Sequence, residues 1–503
     1  LVDAPVIALS FQTADSTMTE TKPSLLRALT LRDAMALLVG TVIGTGVFLK
    51  TGVMTQQLGS PVLVLLAWLA AGLLSLAGAL AYAELGALFP QAGGDFVYLR
   101  QAYGDAPAFL WGWTQFAVVS AGGIAAISTG FAIFLSALLP LGGAWVERTF
   151  HLFGQEVHWQ FGLTQVVAVA AIVLFAAINC LGVVTGGRVQ TVLTGAKLFG
   201  IAVIVLGVFF FSRGASWAHW QAASSSAGDA AQWSVLSAFG AAMMAALWAY
   251  NGWYMLPVMA GEVQQPQRNV PRGLIAGTLV VLAVYLLANL SYFYALPLTE
   301  IVTSNSTTHR DALPVAAKAA STFLGPRGAG LISIAFVVST LGALNGGIMA
   351  LARIPFAMAR DGLFFARLSE VHPQSRAPVW AILAQSAWAS VVALSGTFDQ
   401  ITTYAIFAMW LFFGVTVSAV FVLRRKMPEA ERPYRTLGYP LVPLVFILVA
   451  VWLVLNTLWT SPVESGIGLA LIALGLPLYV YFRHRQSRAM REAGEGLFVS
   501  DPR

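Results

Sequence analysis

Cysteine is nearly absent: Cys180 is the single one in 503 residues. One thiol closes no internal disulfide and builds no cysteine metal cluster. Nothing next to it except Arg188 is basic enough to lower its pKa, so it reads as a small packing residue. Charge is scarce as well, with Asp, Glu, Lys and Arg making up 10% of the chain. The six histidines lie in loops or tails without ligand spacing. No Ser/His/Asp or Cys/His arrangement, nucleotide-binding loop or paired catalytic carboxylate falls within the hydrophobic runs. The sequence therefore gives no footing for an enzyme, a bound metal or a cofactor.

Hydrophobic residues make up 58% of the chain, in repeated runs of about 20, the length that crosses a hydrocarbon core of roughly 30 Å. The chain reads as an all-α protein of the lipid bilayer. Runs bounded by charge, Gly and Pro predict twelve transmembrane helices, near 31–55, 61–89, 107–139, 163–185, 188–212, 233–262, 271–297, 327–358, 378–396, 400–424, 440–460 and 465–483. Basic residues are retained on the cytoplasmic side. With the N-terminus inside, 21 of the 28 Lys and Arg fall on cytoplasmic segments, 6 fall outside, and Lys197 lies within a helix. Both termini are thus expected in the cytoplasm, as tails at 1–30 and 484–503. The net charge of +6 is a topology signal here and does not call for a nucleic-acid partner.

Two of the runs are interrupted by glycine-bearing polar stretches: Gly40-Thr-Val-Ile-Gly-Thr-Gly46 in the first and Trp248-Ala-Tyr-Asn-Gly-Trp253 in the sixth. In a bilayer core an exposed N–H or C=O is costly, so a span gives up helical hydrogen bonds only where the freed groups face a cavity or ligand. Paired interruptions in two halves point to a secondary transporter. At 1.5 Å per residue, Gly44 to Gly46 lie about 18 to 21 Å past Arg32, Asn251 about 16 Å before Glu262, and Lys197 about 13 Å past Arg188. All three share the midplane. The second half of the first span begins with unsatisfied amides and the positive end of a helix dipole, which suits a carboxylate. The first half of span 6 ends in free carbonyls, joined by those of Thr41, Val42 and Ile43, which suit an ammonium. Together they match a zwitterionic α-amino acid.

These segments resemble the amino acid–polyamine–organocation superfamily, specifically its L-amino acid transporter branch. Beside the two breaks, the likeness is carried by Tyr82-Ala-Glu-Leu85, Gly93-Gly-Asp-Phe-Val-Tyr98, Gly195-Ala-Lys-Leu198, the run from Gly261 to Arg272, and Ser339-Thr-Leu-Gly-Ala-Leu-Asn-Gly346. The resemblance implies five plus five helices related by an inverted repeat (31–212 and 233–424), two further helices (440–483), and sodium-independent alternating access. It implies carboxylate-binding amides at Gly44, Thr45 and Gly46, and ammonium-binding carbonyls at Val42, Ile43, Trp248, Ala249 and Asn251. Trp248 takes the position of an aromatic outer gate. Lys197 takes that of a lysine that replaces a sodium ion, bridging helix 1 carbonyls and a helix 8 hydroxyl, Ser339 or Thr340.

Asn251 stands where relatives that take cationic amino acids tend to carry Asp and many large-neutral ones carry Gly. A neutral amide there, with Trp248 and Tyr254 trimming the space, favours neutral amino acids of small to medium size. The expectation is an amino acid exchanger of the cytoplasmic membrane. A proton-coupled symporter, a broad or cationic permease and a non-transporting sensor are the alternatives. Animal members pair with a heavy chain through a cysteine between helices 3 and 4; residues 141–160 contain none, so no such partner is expected. Glu84 is expected to pair with a basic neighbour, and Arg353, Arg360 and Asp361 with Glu262 and Arg268 read either as an inner gate or as a solvated helix end.

Overall fold

The computed structural model describes residues 23–152, 155–221, 232–306, 309, 312–395 and 398–498. The first element starts from a local signal. Thr30 caps α1 (Leu31–Val42) with a reciprocal box: its hydroxyl accepts from the Asp33 amide and the Asp33 carboxylate accepts from the Thr30 amide. α2 (Gly46–Leu58) follows after a break and ends at Gly59, which takes the left-handed conformation. Ser60 caps α3 (Pro61–Leu88), whose proline sits in the first turn, where its missing amide costs nothing.

α4 (Asp95–Tyr103) and α5 (Asp105–Thr114) lead into α6 (Ser120–Ser136) through a π-helical turn at Gln115–Val119. α7 (Leu163–Cys180) and α8 (Val183–Phe211) are parted only by Leu181 and Gly182, the latter at φ 119°. α9 (Gln232–Ala249) and α10 (Met255–Val258) flank the second break. Beyond it come α11 (Pro266–Ala295), α12 (Leu298–Val302), α13 (Val315–Leu324), α14 (Arg327–Leu351) and α15 (Arg353–Arg360). The chain finishes with α16 (Val379–Ser395), α17 (Phe398–Lys426), α18 (Leu441–Thr460), α19 (Pro462–Ala473) and α20 (Gly475–Phe498).

Among the described residues, nine helices are long and apolar enough to cross a membrane, or ten when α1 and α2, bent by 40°, count as one span. The elements at the expected sixth and ninth spans are shorter, because α9 stops at the break and α16 is only 17 residues long. The join between the expected fourth and fifth spans is nearly all helix, since one positive-φ glycine suffices for the turn. The stretch 141–160, read as loop, carries an antiparallel hairpin of β1 (Ala144–Leu152) and β2 (Gln155–Gly162). The Trp159 indole ties it to the Leu394 carbonyl at 2.8 Å.

Residues 1–22 and 499–503 lie outside the described residues, and parts of the remaining tail segments make contacts. Leu29 is buried and pairs with Val263 in a parallel bridge. α20 runs on to Phe498, and its Gln486 amide reaches the Asp361 carbonyl at 2.8 Å.

Candidate substrate site

The two breaks meet because two glycines let them. Gly252 has φ 127°, and a Cβ there would lie 3.2 Å from the Thr41 carbonyl. A Cβ on Gly46 would lie 2.5 Å from the Ala249 Cβ. Between them opens a cavity of about 380 Å³. Val42, Gly44, Thr45, Gly46, Trp248, Ala249, Asn251, Tyr254 and Thr340 line it, as do Val119, Ile124, Ala343, Gly347 and Met409 from the facing helices. Its lining residues include none with a charged side chain. Ile43, Lys197 and Ser339 are not among them.

Hydrogen bonding divides the exposed backbone into used and unused groups. The Gly44 amide donates to the Val42 carbonyl at 2.9 Å, while the residue itself lines the cavity. The Thr45 amide has no backbone acceptor among the described residues, and Gly46, as first residue of α2, has none within its helix. A carbonyl oxygen has two lone pairs. That of Ile43 accepts from the Lys197 ammonium, and the Ser339 hydroxyl lies 3.1 Å from it and from the Gly44 carbonyl alike. Val42 is engaged by the Gly44 amide and approached by the Tyr285 hydroxyl at 3.0 Å. Capacity is left on Trp248, which takes the Asn251 amide, on Ala249, which takes Tyr285 at 2.8 Å, and on Asn251.

Lys197 is buried, with its ammonium on the carbonyls of Gly40 (2.7 Å) and Ile43. Of the two helix 8 hydroxyls, Ser339 joins this cluster, donating to Ile43 or Gly44 at 3.1 Å each. Thr340 instead bonds back to Phe336 and Val337 on its own helix while facing the cavity. The same face of α8 holds Thr194 on the Ala36 carbonyl (2.9 Å) and Gln190 on Asn345 of α14 (2.8 Å). Trp248 is 37% exposed, and the Lys50 ammonium packs 4.7 Å from the centre of its ring.

Tyr285 went unrecognised in the sequence. Its hydroxyl reaches carbonyls from both breaks, yet a lone Tyr in an apolar helix gives no such signal. The π-helical turn that sets Val119 against the cavity was equally silent, since a one-residue insertion leaves no mark on hydropathy. Glu84 is held by Arg424 (2.7 and 2.9 Å) and by the Thr436 amide (2.7 Å). Glu262 and Arg353 form a pair at 2.9 and 3.1 Å with both side chains fully buried, so Arg353 is not a solvated helix end. Among the described residues no group of three His, Cys, Asp or Glu is placed to hold a metal.

The model for the amino acid permease family matches residues 29–480. The chain belongs to that family. The Serine/threonine exchanger SteT of Bacillus subtilis (strain 168) is 34% identical to the permease over 458 residues, covering 90% of this chain and 96% of that protein. The b(0,+)-type amino acid transporter 1 of Homo sapiens is 30% identical over 466 residues, 92% of this chain and 89% of the other. The Cystine/glutamate transporter of Homo sapiens is 27% identical over 463 residues, 92% and 86%. The resemblance carried by the helix 1 and helix 6 motifs thus extends along nearly the whole chain. Amino acid transport is the function it shares with this family, and these relatives are transporters rather than enzymes.

Proposed function

We propose that the permease exchanges neutral L-amino acids of small to medium size across the cytoplasmic membrane, without sodium, by alternating access. The observation that carries this reading is the lining of the main cavity. Amides of Thr45 and Gly46 on one side and carbonyl capacity at Trp248, Ala249 and Asn251 on the other complement a zwitterion. The absence of any charged side chain from the lining leaves a neutral substrate side chain as the one that enters without an unpaired charge. Sodium independence is supported by Lys197, whose ammonium supplies a fixed positive charge to carbonyls at the break.

In this reading the ten long spans are completed to twelve by α9 with α10 and by α16. The halves 31–212 and 233–424 form the inverted repeat, supported by a broken element opening each half and by their meeting at one cavity. Residues 440–483 add two helices, and both termini lie in the cytoplasm, as the basic-residue count argues. No disulfide-linked heavy chain is needed, because the hairpin stretch lacks cysteine and Cys180 closes α7.

Counterflow in proteoliposomes tests the proposal. Labelled alanine, serine or leucine is expected to accumulate only when unlabelled neutral amino acid is inside, equally well in sodium and choline buffers, with arginine excluded. Accumulation in empty vesicles driven by an inward proton gradient would overturn exchange, and binding without flux would make the protein a sensor.

A further inference from the structure

Lys50 lies on α2 one helical turn beyond Gly46, so the two share a face about 6 Å apart along the axis. It was counted among the six basic residues of the outer side, yet it is half-buried within the span. Among the described residues its ammonium meets the Trp248 ring and no carboxylate or carbonyl. It lines a second chamber of about 420 Å³, together with Ser75 and Trp410. Trp248, Asn251 and Met409 form part of the wall between this chamber and the main cavity. Asn251 stands in that wall with its side-chain oxygen buried and unpartnered, and its nitrogen only on the Met409 sulfur at 3.7 Å.

Lys50 lies toward the outer end of the span, half-buried, and an aromatic face compensates its charge only in part. What it lacks is an anion. We propose that the second chamber receives the side-chain carboxylate of an acidic amino acid whose α-amino and α-carboxylate groups occupy the main cavity, with Lys50 as countercharge. Gly46 and Lys50 stand one turn apart on the same face of α2, so the two carboxylates of aspartate or glutamate would be met from one helix. A charge-assisted bond from an ammonium to a carboxylate is the strong kind. The inference rests on the main cavity as the site of the α-groups, and extends the substrates beyond the neutral set.

The test compares labelled glutamate and labelled alanine entering alanine-loaded proteoliposomes with the wild type, Lys50→Gln and Lys50→Arg. Glutamate is expected to enter through the wild type. Lys50→Gln is expected to raise the glutamate KM by at least about tenfold while the alanine KM stays within about twofold, and Lys50→Arg is expected to preserve glutamate entry. Glutamate that neither enters nor inhibits alanine exchange in the wild type would overturn the proposal without any variant. An equal loss for alanine and glutamate in Lys50→Gln would also overturn it, assigning Lys50 to the shared α-carboxylate. A selective loss for glutamine would overturn it in favour of an uncharged polar side chain. Failure of the neutral-exchange reading looks different: wild-type vesicles then show no alanine counterflow, whatever glutamate does.

Discussion

At the scale of single residues, the break in helix 1 is held open by groups that never touch the cavity. The Lys197 ammonium holds the Ile43 carbonyl from behind, and the Ser339 hydroxyl is shared between that carbonyl and the one of Gly44, so the break does not close back onto the helix. In the proposed reading the substrate meets Thr45, Gly46 and the end of α9, which line the cavity. A hydrogen bond to a charged group contributes about 1.5–3 kcal/mol, and Lys197 makes two of them, to Gly40 and Ile43. Lys197→Ala is therefore expected to cut the exchange rate by at least about tenfold, with the amount of protein in the membrane nearly unchanged. Initial rates of alanine counterflow, normalised to reconstituted protein, measure this directly. Near-normal exchange would show that the lysine does no more than pack.

At the scale of elements, α2 and α9 are joined through glycine, and the two glycines of the first break do different work. A Cβ at Gly46 meets Ala249 at 2.5 Å, whereas one at Gly44 meets nothing within 4 Å and projects into open space beside the cavity. Overpacking of a close helix contact costs about 1–3 kcal/mol. Gly46→Ala is expected to lower both substrate affinity and the thermal midpoint in detergent, while Gly44→Ala lowers affinity alone. Equal midpoints for the two variants would refute the close-contact role of Gly46. The breaks themselves were legible because glycine and polar residues stand out inside an apolar run, and Lys197 because a midplane charge has few explanations. Which carbonyl stays free was not legible, since the partners of Val42 and Ile43 come from α8, α11 and α14, distant in sequence. The hairpin between α6 and α7 escaped for a different reason: Val157, Trp159 and Phe161 alternate with polar residues along β2, but the polar run Glu147-Arg-Thr149 breaks the period in β1.

At the scale of the whole molecule, the site is closed more firmly on one face than on the other. Trp248 at one end of the cavity is 37% exposed, whereas Tyr254 and Leu351 at the other are 1% and 3%. Beyond them, toward the face that carries the basic clusters, Glu262 and Arg353 pair without any exposure, joining the segment after α10 to the start of α15. Leu29 and Val263 bridge beside them, so the approach to α1, the second break and the end of α14 are locked together. Removing one partner of such a pair leaves a buried charge uncompensated, a penalty of about 3–5 kcal/mol, and alternating access offers a way to relieve it by opening that face to water. Because Cys180 is the sole cysteine, Cys180→Ser gives a background in which a single Ala343→Cys reports on the cavity, Ala343 being part of its lining. Adding Glu262→Gln is expected to make that cysteine react several-fold faster with a membrane-impermeant reagent applied from the basic face, and more slowly from the opposite face. Unchanged rates on both faces would mean that the pair braces the fold and does not gate it. Faster reaction from the opposite face alone would place the gate at Trp248.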